Sequence, residues 1–147
     1  MAISKVFNGT PGKNRARPLT EVTVPTSTPT TIQPGVPVVI SGAPAVSLTA
    51  SGNGTKTTSN PVPGVTSITV TNGGASLDAG WATFAFDGTY NFAVVGATTS
   101  TASGVKVYIT NAGGLTTTEG TNTFYGSTDY PVDYRKRAGF APVKIGA

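Results

Sequence analysis

The chain has 147 residues, a formal net charge of +4, and neither cysteine nor histidine. Disulfides, zinc fingers and nucleophile pairs that need a histidine or a thiolate are therefore excluded. Valine outnumbers leucine by sixteen to four, and threonine is the commonest residue. Because branching at Cβ favours the pleated sheet over the helix, this composition predicts a β-rich protein. Only 11% of the residues are charged, too few for self-repulsion to keep the chain unfolded.

The N-terminal residues predict an extended arm. Residues 1–18 show neither helical nor strand periodicity and contain several glycines and prolines. LTEVTV at 19–24 could form a short strand, and a Pro/Thr-rich tract at 25–35 is expected to be extended. We therefore expect a basic and Pro/Thr-rich arm at residues 1–31 and a β-rich body at residues 32–147.

The body alternates short apolar runs with turn residues, roughly every ten positions. Glycine and asparagine in the turns supply the positive φ that tight connections need. Even spacing of short strands predicts a compact all-β sandwich or barrel. ASLDAG at 75–80 is the one helix candidate. The predicted strands are 36–40, 45–50, 66–70, 81–86, 92–95, 105–109, 122–125 and 142–145.

Neither a secretory signal nor a membrane span is expected. The first residues, MAISKVFNGTPG, contain no apolar core of signal-peptide length. No run approaches the ~20 apolar residues that would cross a bilayer. We therefore expect synthesis in the cytoplasm and no membrane partner.

Basic residues form two short clusters, one near each end of the sequence. These clusters could be solvated loops, or they could be contact points for an acidic macromolecular surface. The residues that we expect to contact a partner are Lys13, Arg15, Arg17, Arg135, Lys136 and Arg137.

Side chains that could carry acid–base chemistry are scattered. Asp78, Asp87, Asp129 and Asp133 do not recur at a spacing typical of a glycosidase or a metal loop. Aspartates at turn entries usually accept local backbone hydrogen bonds. We therefore expect no enzyme, no metal and no cofactor, although a cleft joining two of these carboxylates would support an enzyme.

Aromatic residues suggest a different class of function. Trp81, Phe84, Phe86, Tyr90 and Phe92 could form a platform for sugars or single-stranded nucleic acid. Strand alternation places Phe84 and Phe86 on one face and Trp81 on the other, which predicts that the phenylalanines are core residues. A carbohydrate-binding or host-adhesion module is therefore an alternative function. It requires Trp81 or the tyrosines to be exposed together in one groove.

The segment YPVDYRKRAGF at 130–140 interleaves aromatic and basic residues, which would also suit nucleic acid. The segment is short, and acidic residues lie close to it within 119–133. An anchoring loop against another protein is therefore favoured over direct contact with nucleic acid.

Four stretches of the C-terminal two thirds carry a family resemblance. In order, a Gly-led strand ends in an aromatic residue, a Gly/Thr loop follows, and a short strand closes after a glycine. The four stretches are IQPGVPVVISGAPAVSLTA (32–50), AFDGTYNFAVVGA (85–97), GVKVYITNAGGLTTTEGTNTFYG (104–126) and AGFAPVKIGA (138–147). In this pattern the chain resembles the capsid decoration (cement) proteins of tailed bacteriophages, formerly a domain of unknown function. Val36 and Val105 stand where that family often has an acid. In this setting the alternative function is a carbohydrate-binding or host-adhesion module of a phage head fibre or tail.

The resemblance implies a structural virion protein on the outer capsid surface, synthesised in the host cytoplasm. It implies binding to the major capsid protein, stabilisation of the shell, and self-association as a homotrimer, as in lambda-type decoration proteins. Neither nucleic acid nor a membrane is expected as a direct partner. In this interpretation, residues 110–126 belong to a surface for other protein subunits, because their short side chains lose little entropy on docking.

Overall fold

The structure is a computed structural model. It describes the backbone of residues 5–7, 14–52, 55–59, 67–71 and 79–146, and the side chains within 14–52 and 79–146. In this part of the chain the protein is all-β, as predicted, with one 3-10 turn at Leu19–Glu21 and no α-helix. All but the last two residues of the helix candidate at 75–80 lie outside the described residues.

The strands are numbered β1 to β13 in chain order and form three sheets. The first sheet contains β1 (Lys5–Phe7), β9 (Gly88–Val95), β10 (Lys106–Ile109), β11 (Leu115–Thr116), β12 (Thr123–Thr128) and β13 (Phe140–Ile145). The second contains β2 (Asn14–Pro18), β3 (Val22–Val24), β4 (Pro37–Ile40), β5 (Ala43–Ser47) and β8 (Trp81–Ala85). The third is a hairpin of β6 (Thr55–Ser59) and β7 (Ser67–Thr71).

Five strands of the first sheet close into a small barrel, in the order β9, β11, β10, β12, β13 and back to β9. β13 pairs with β9 from Phe140 opposite Ala93 to Ile145 opposite Gly88. β13 also pairs with β12, whereas β11 runs parallel to the end of β9. β1 pairs with the start of β9. Closure gives each of the five strands a partner on both sides, so the barrel has no open edge.

The barrel interior is filled by every second residue of its strands, as the period of the pleat requires. Tyr90, Phe92 and Val94 point inward from β9, and Tyr125 points inward from β12. The rings of Phe92 and Tyr125 meet edge-on with centroids 5.9 Å apart. The Tyr125 hydroxyl donates a hydrogen bond of 2.6 Å to the carbonyl oxygen of Ala45 on β5, which joins the barrel to the second sheet.

The second sheet is apolar on both faces. Val39, Val46 and Ala85 pack on the barrel core, whereas Phe84 and Ile40 belong to a separate cluster on the opposite face. The face assignment expected from strand alternation is confirmed for the phenylalanines, because Phe84 lies in the outer cluster with Phe86 packed against it, whereas Ala85 packs on the barrel core. Trp81 is 39% exposed. The sheet therefore lies between two cores.

Residues 14–18 differ from the expected arm, whereas β3 lies within the short strand considered at 19–24. β2 pairs with β8 along its whole length, and β3 pairs with β4. Leu19 and Val22 are buried in the outer cluster of the second sheet. The sequence of β2, NRARP, has no apolar alternation and therefore gives no strand signal. Pairing with β8, with little burial of its own side chains, makes this segment a strand. A division at residue 31 therefore does not separate these two strands from the body.

Candidate functional site

The C-terminal basic cluster lies in a loop, residues 129–139, which connects β12 to β13 and is called the basic loop below. Its backbone is attached at its start, where the Asp129 N–H donates to the Pro142 carbonyl at 3.0 Å. The next N–H, of Tyr130, donates to the Ser103 hydroxyl at 2.8 Å. The Tyr134 hydroxyl donates to the side-chain oxygen of Asn91 at 3.0 Å. These bonds fix the loop against the barrel and its neighbouring loop.

Two cations of the basic loop are held against aromatic rings. Lys136 Nζ donates to the Thr101 carbonyl at 2.6 Å and lies 4.6 Å from the centroid of the Tyr130 ring. The Arg137 guanidinium lies 3.9 Å from the centroid of the Phe140 ring. Cation–π contacts of this kind contribute about 0.5–1 kcal/mol at exposed sites. The cations are therefore placed before any partner arrives.

Electrostatics and shape favour an anionic partner at this loop. Burial raises the pKa of Tyr130, and the neighbouring Tyr134 raises it further, so the ring beside Lys136 stays neutral at physiological pH. Tyr134, Arg135, Lys136 and Arg137 line a surface depression of about 390 Å³. An acidic side chain could enter this depression and meet cations that are already oriented.

The N-terminal basic cluster occupies a different place. Arg15 and Arg17 extend from β2, at one edge of the second sheet, and line a separate depression of about 310 Å³. Arg17 forms an ion pair with Glu21, four residues along the chain. Lys13 lies outside the described residues. Within the described part of the chain, the two clusters line different depressions, so the fold does not combine them into one site.

The Thr-, Asn- and Gly-rich segment at 110–126 is ordered mainly by hydrogen bonds. The Thr110 N–H donates to the Gly114 carbonyl at 2.8 Å, and the Asn111 carbonyl accepts from the Thr26 N–H at 3.0 Å. Further along, the Thr117 N–H donates to Val95 at 3.0 Å. Phe124 is 52% exposed, and its ring meets the Tyr108 ring edge-on. The segment is thus a defined surface of short side chains beside one exposed aromatic ring.

The aromatic platform considered from sequence is not assembled on the surface. Phe84, Tyr90 and Phe92 are buried, and Phe86 packs against the outer cluster of the second sheet. Trp81 is partly exposed on β8, whereas Tyr130 and Tyr134 face each other in the basic loop. These aromatic residues therefore do not share one groove.

The described carboxylates serve local roles or lie apart. Asp129 accepts a hydrogen bond from the Thr89 hydroxyl at 3.1 Å, and Glu21 pairs with Arg17. Asp87 is buried immediately before β9. Among the described residues, no three His, Cys, Asp or Glu side chains form a group that could hold a metal ion.

Sequence reasoning missed Val132, which is 91% exposed and is the most exposed large apolar residue in the described part of the chain. It lies between Pro131 and Asp133 in a stretch without periodicity. The only sequence feature that could have indicated its exposure is that it is a single valine among turn-forming and charged residues.

Helices long and apolar enough to cross a membrane are absent from the part of the chain that the structure describes. Comparison of the chain with models of protein families, with curated proteins and with solved structures finds no match.

Proposed function

We propose that the protein is a structural protein of a tailed-phage virion that binds the outer surface of the assembled capsid and stabilises it, without catalysing a reaction. Its partners in this proposal are the major capsid protein and further copies of itself. The resemblance of residues 32–50, 85–97, 104–126 and 138–147 to capsid decoration proteins supports the class of function. The fixed basic loop is the structural observation that carries the proposal.

Orientation of the cations before binding lowers the entropic cost of docking. A free lysine or arginine side chain loses about 0.5–1.5 kcal/mol of rotamer freedom when an interface immobilises it. Lys136 and Arg137 have already lost part of this freedom through Thr101, Tyr130 and Phe140. An acidic capsid surface could therefore be recognised at modest cost, and association would be faster at low ionic strength.

The segment at 110–126 supplies a second surface suited to protein subunits. A specific contact needs roughly 800 Å² on each partner, which is more than one loop provides. Short side chains and an exposed Phe124 ring extend the contact area without new charges. Repetition of the contact around a shell multiplies its effect through avidity.

Binding to capsids is the direct test. Purified protein would be mixed with phage heads that lack it, and both samples would be heated while DNA release is recorded. We expect the protein to bind the heads and to raise the temperature of DNA release. Failure to bind, or binding without this gain, would contradict the proposal.

A pair of matched variants tests the role of the basic loop. Arg135→Ala with Arg137→Ala removes two positive charges from the loop, and we expect at least tenfold weaker binding to heads. Lys106→Ala with Lys144→Ala removes two exposed charges from the barrel wall and serves as the control. Equal loss in both variants would show that net charge, and not this loop, determines binding.

Host adhesion is the alternative function, and one combination of results would favour it over capsid binding. Specific binding of the isolated protein on a glycan array, together with no binding to heads, would favour the carbohydrate-binding alternative.

A further inference from the structure

The basic loop has a tip whose chemistry differs from that of its base. The Tyr134 N–H donates to the Pro131 carbonyl at 3.1 Å, which closes a turn with Val132 and Asp133 at its apex. Val132 is 91% exposed, and Asp133 is exposed beside it. Asp133 has no hydrogen bond or ion pair with any residue that the structure describes. This pair, called the tip below, combines a free carboxylate with an uncovered apolar side chain.

The tip is held rigidly. Asp133 has a φ of 66°, a left-handed conformation that is uncommon outside glycine. At the base of the turn, Tyr134 contacts the Tyr130 ring at a centroid distance of 5.4 Å and donates its hydroxyl hydrogen to Asn91. Strained backbone that the surrounding structure maintains is often found at binding sites.

The depression beside β2 has the complementary chemistry. It is lined by Arg15, Arg17, Ile40, Ser41, Ala43 and Phe86, and is called the β2 depression below. Glu21 already neutralises Arg17, whereas the Arg15 guanidinium forms no ion pair or hydrogen bond with a described residue. The depression therefore presents one free guanidinium beside an apolar floor.

The rim of the β2 depression is also fixed. Ser41 and Gly42 form the two-residue turn between β4 and β5, with φ of 49° and 85°. Positive φ at both positions is the geometry that matches the twist of paired strands. The Ser41 N–H donates to the Glu21 carbonyl at 3.3 Å, which ties this turn to the residue that pairs with Arg17.

We propose that the tip of one copy of this chain docks in the β2 depression of a second copy. The Asp133 carboxylate pairs with the Arg15 guanidinium, and the Val132 side chain covers Ile40 and Phe86. The inference deepens the self-association named in the proposed function and rests on it, but its test uses the free protein and needs no capsid.

Charge and polarity select this occupant. A single free guanidinium matches a single carboxylate, whereas a nucleic acid backbone would need a row of cations. The apolar floor requires an apolar side chain next to that carboxylate. Of the large apolar side chains whose exposure the structure describes, Val132 is the most exposed, and it is adjacent to an acid in sequence.

The contact joins the tip of one copy to a different surface, the β2 depression, of the other, and is called head-to-tail below. Its smallest closed form is a two-fold dimer with two reciprocal contacts. Contacts of this type build closed rings when the rotation between copies permits and open chains when it does not. A ring uses every tip and every depression, so we expect a small closed oligomer, which is compatible with the homotrimer that the family resemblance implies.

Complementary variants test the contact by sedimentation equilibrium at micromolar concentration. We expect the unmodified chain to form a closed oligomer. A tip variant, Val132→Ser with Asp133→Asn, and a depression variant, Arg15→Ala, should each associate at least tenfold more weakly. An equimolar mixture of the two variants retains one intact tip and one intact depression, so it should form a dimer and nothing larger.

Matched controls remove the same chemistry elsewhere. Val95→Ser with Glu119→Gln removes an exposed valine and an exposed acid, and Lys106→Ala removes one exposed charge; both should associate like the unmodified chain. A monomeric unmodified chain, unchanged association of the tip or depression variant, or a mixture that stays monomeric would each overturn the proposal.

Disulfide trapping gives an independent readout, because the chain contains no cysteine. Chains with Val132→Cys and chains with Ala43→Cys, which places a thiol in the depression, would be mixed and oxidised. We expect mixed dimers to form at least tenfold faster than dimers between Val132→Cys and Ala112→Cys, a thiol on an exposed turn. Equal rates, or a predominance of Val132→Cys homodimers, would contradict head-to-tail docking.

Discussion

Tyr125 connects the two main parts of the structure through one hydroxyl group. It is fully buried inside the barrel and donates to Ala45 on the second sheet at 2.6 Å. Replacing it with phenylalanine leaves the Ala45 carbonyl without this donor in a dry environment, which costs about 1–3 kcal/mol. We expect Tyr125→Phe to lower the free energy of unfolding by this amount, measured by urea denaturation. Tyr134→Phe, which loses a part-buried bond to Asn91, should cost less.

The pH dependence of stability follows from the same side chain. Burial raises the pKa of Tyr125 well above its ordinary value of 10.0, and the neighbouring Tyr90 adds to the rise. The folded state therefore holds the phenolic proton more tightly than the unfolded state. The contribution of protonated Tyr125 to the free energy of unfolding is fully present below pH 10, and it is lost as the pH rises through the pKa of Tyr125 in the folded state. Above pH 10, stability should fall less steeply in Tyr125→Phe than in the unmodified protein.

Gly126 shows how closely β12 approaches β13. A Cβ at this position would lie against the Lys144 carbonyl oxygen and 3.0 Å from a methyl group of Val143. Because backbone cannot move aside as a side chain can, we expect Gly126→Ala to destabilise the protein by about 1–3 kcal/mol. Gly114→Ala is the control, since its Cβ would meet only the Thr110 hydroxyl at 3.6 Å. Similar thermal melting of both variants would contradict this explanation.

At the scale of elements, Thr128 fixes the loop that precedes β10. Its hydroxyl donates to the Ala102 carbonyl at 2.6 Å and accepts from the Val105 N–H at 3.0 Å. Thr128→Val keeps the shape but removes both bonds, so amide exchange at Val105 should accelerate while the barrel interior keeps its protection. Thr123→Val, at an exposed position of the same strand, should leave exchange at Val105 unchanged.

Strands with apolar alternation were predictable from the sequence, and those made by tertiary pairing were not. Residues 105–109 and 142–145 alternate clearly, and the structure places β10 and β13 there. β2 is polar, and its strand geometry comes from β8. The start of β9 resembled a turn because Asp87 and Gly88 are turn-forming residues, yet Thr89 and Tyr90 are buried between neighbouring strands.

The two clusters of basic residues are visible in the sequence, but the contacts that orient their side chains are not. Lys136 contacts Tyr130 and Thr101 through the path of the loop, and no periodicity in the sequence relates these positions. The β2 depression is likewise lined by residues from five places in the chain, namely β2, β4, the turn between β4 and β5, β5 and the residue that follows β8. Only the folded chain brings them into one surface.

At the scale of the whole molecule, the barrel and the second sheet share one core. Val24, Val39, Val46 and Ala85 of the second sheet pack within the barrel cluster. We therefore expect a single cooperative unfolding transition. Trp81 fluorescence reports on the second sheet, and near-ultraviolet circular dichroism of tyrosine reports mainly on the barrel, so the two denaturation curves should coincide. Separate midpoints would show that the two parts unfold independently.

Closure of the barrel by β13 also constrains how the protein is made. During synthesis, β9 and β12 leave the ribosome before β13. Gly88 at the start of β9 cannot pair with β13 until Ile145 has been synthesised and released from the exit tunnel. Until residue 145 leaves the exit tunnel, both earlier strands have an open edge that can pair with a neighbouring nascent chain. Pairing between such distant residues is slow, and partly folded chains with open edges are prone to aggregate. The yield of native protein should therefore depend on holdase chaperones during synthesis, even though the finished barrel has no open edge.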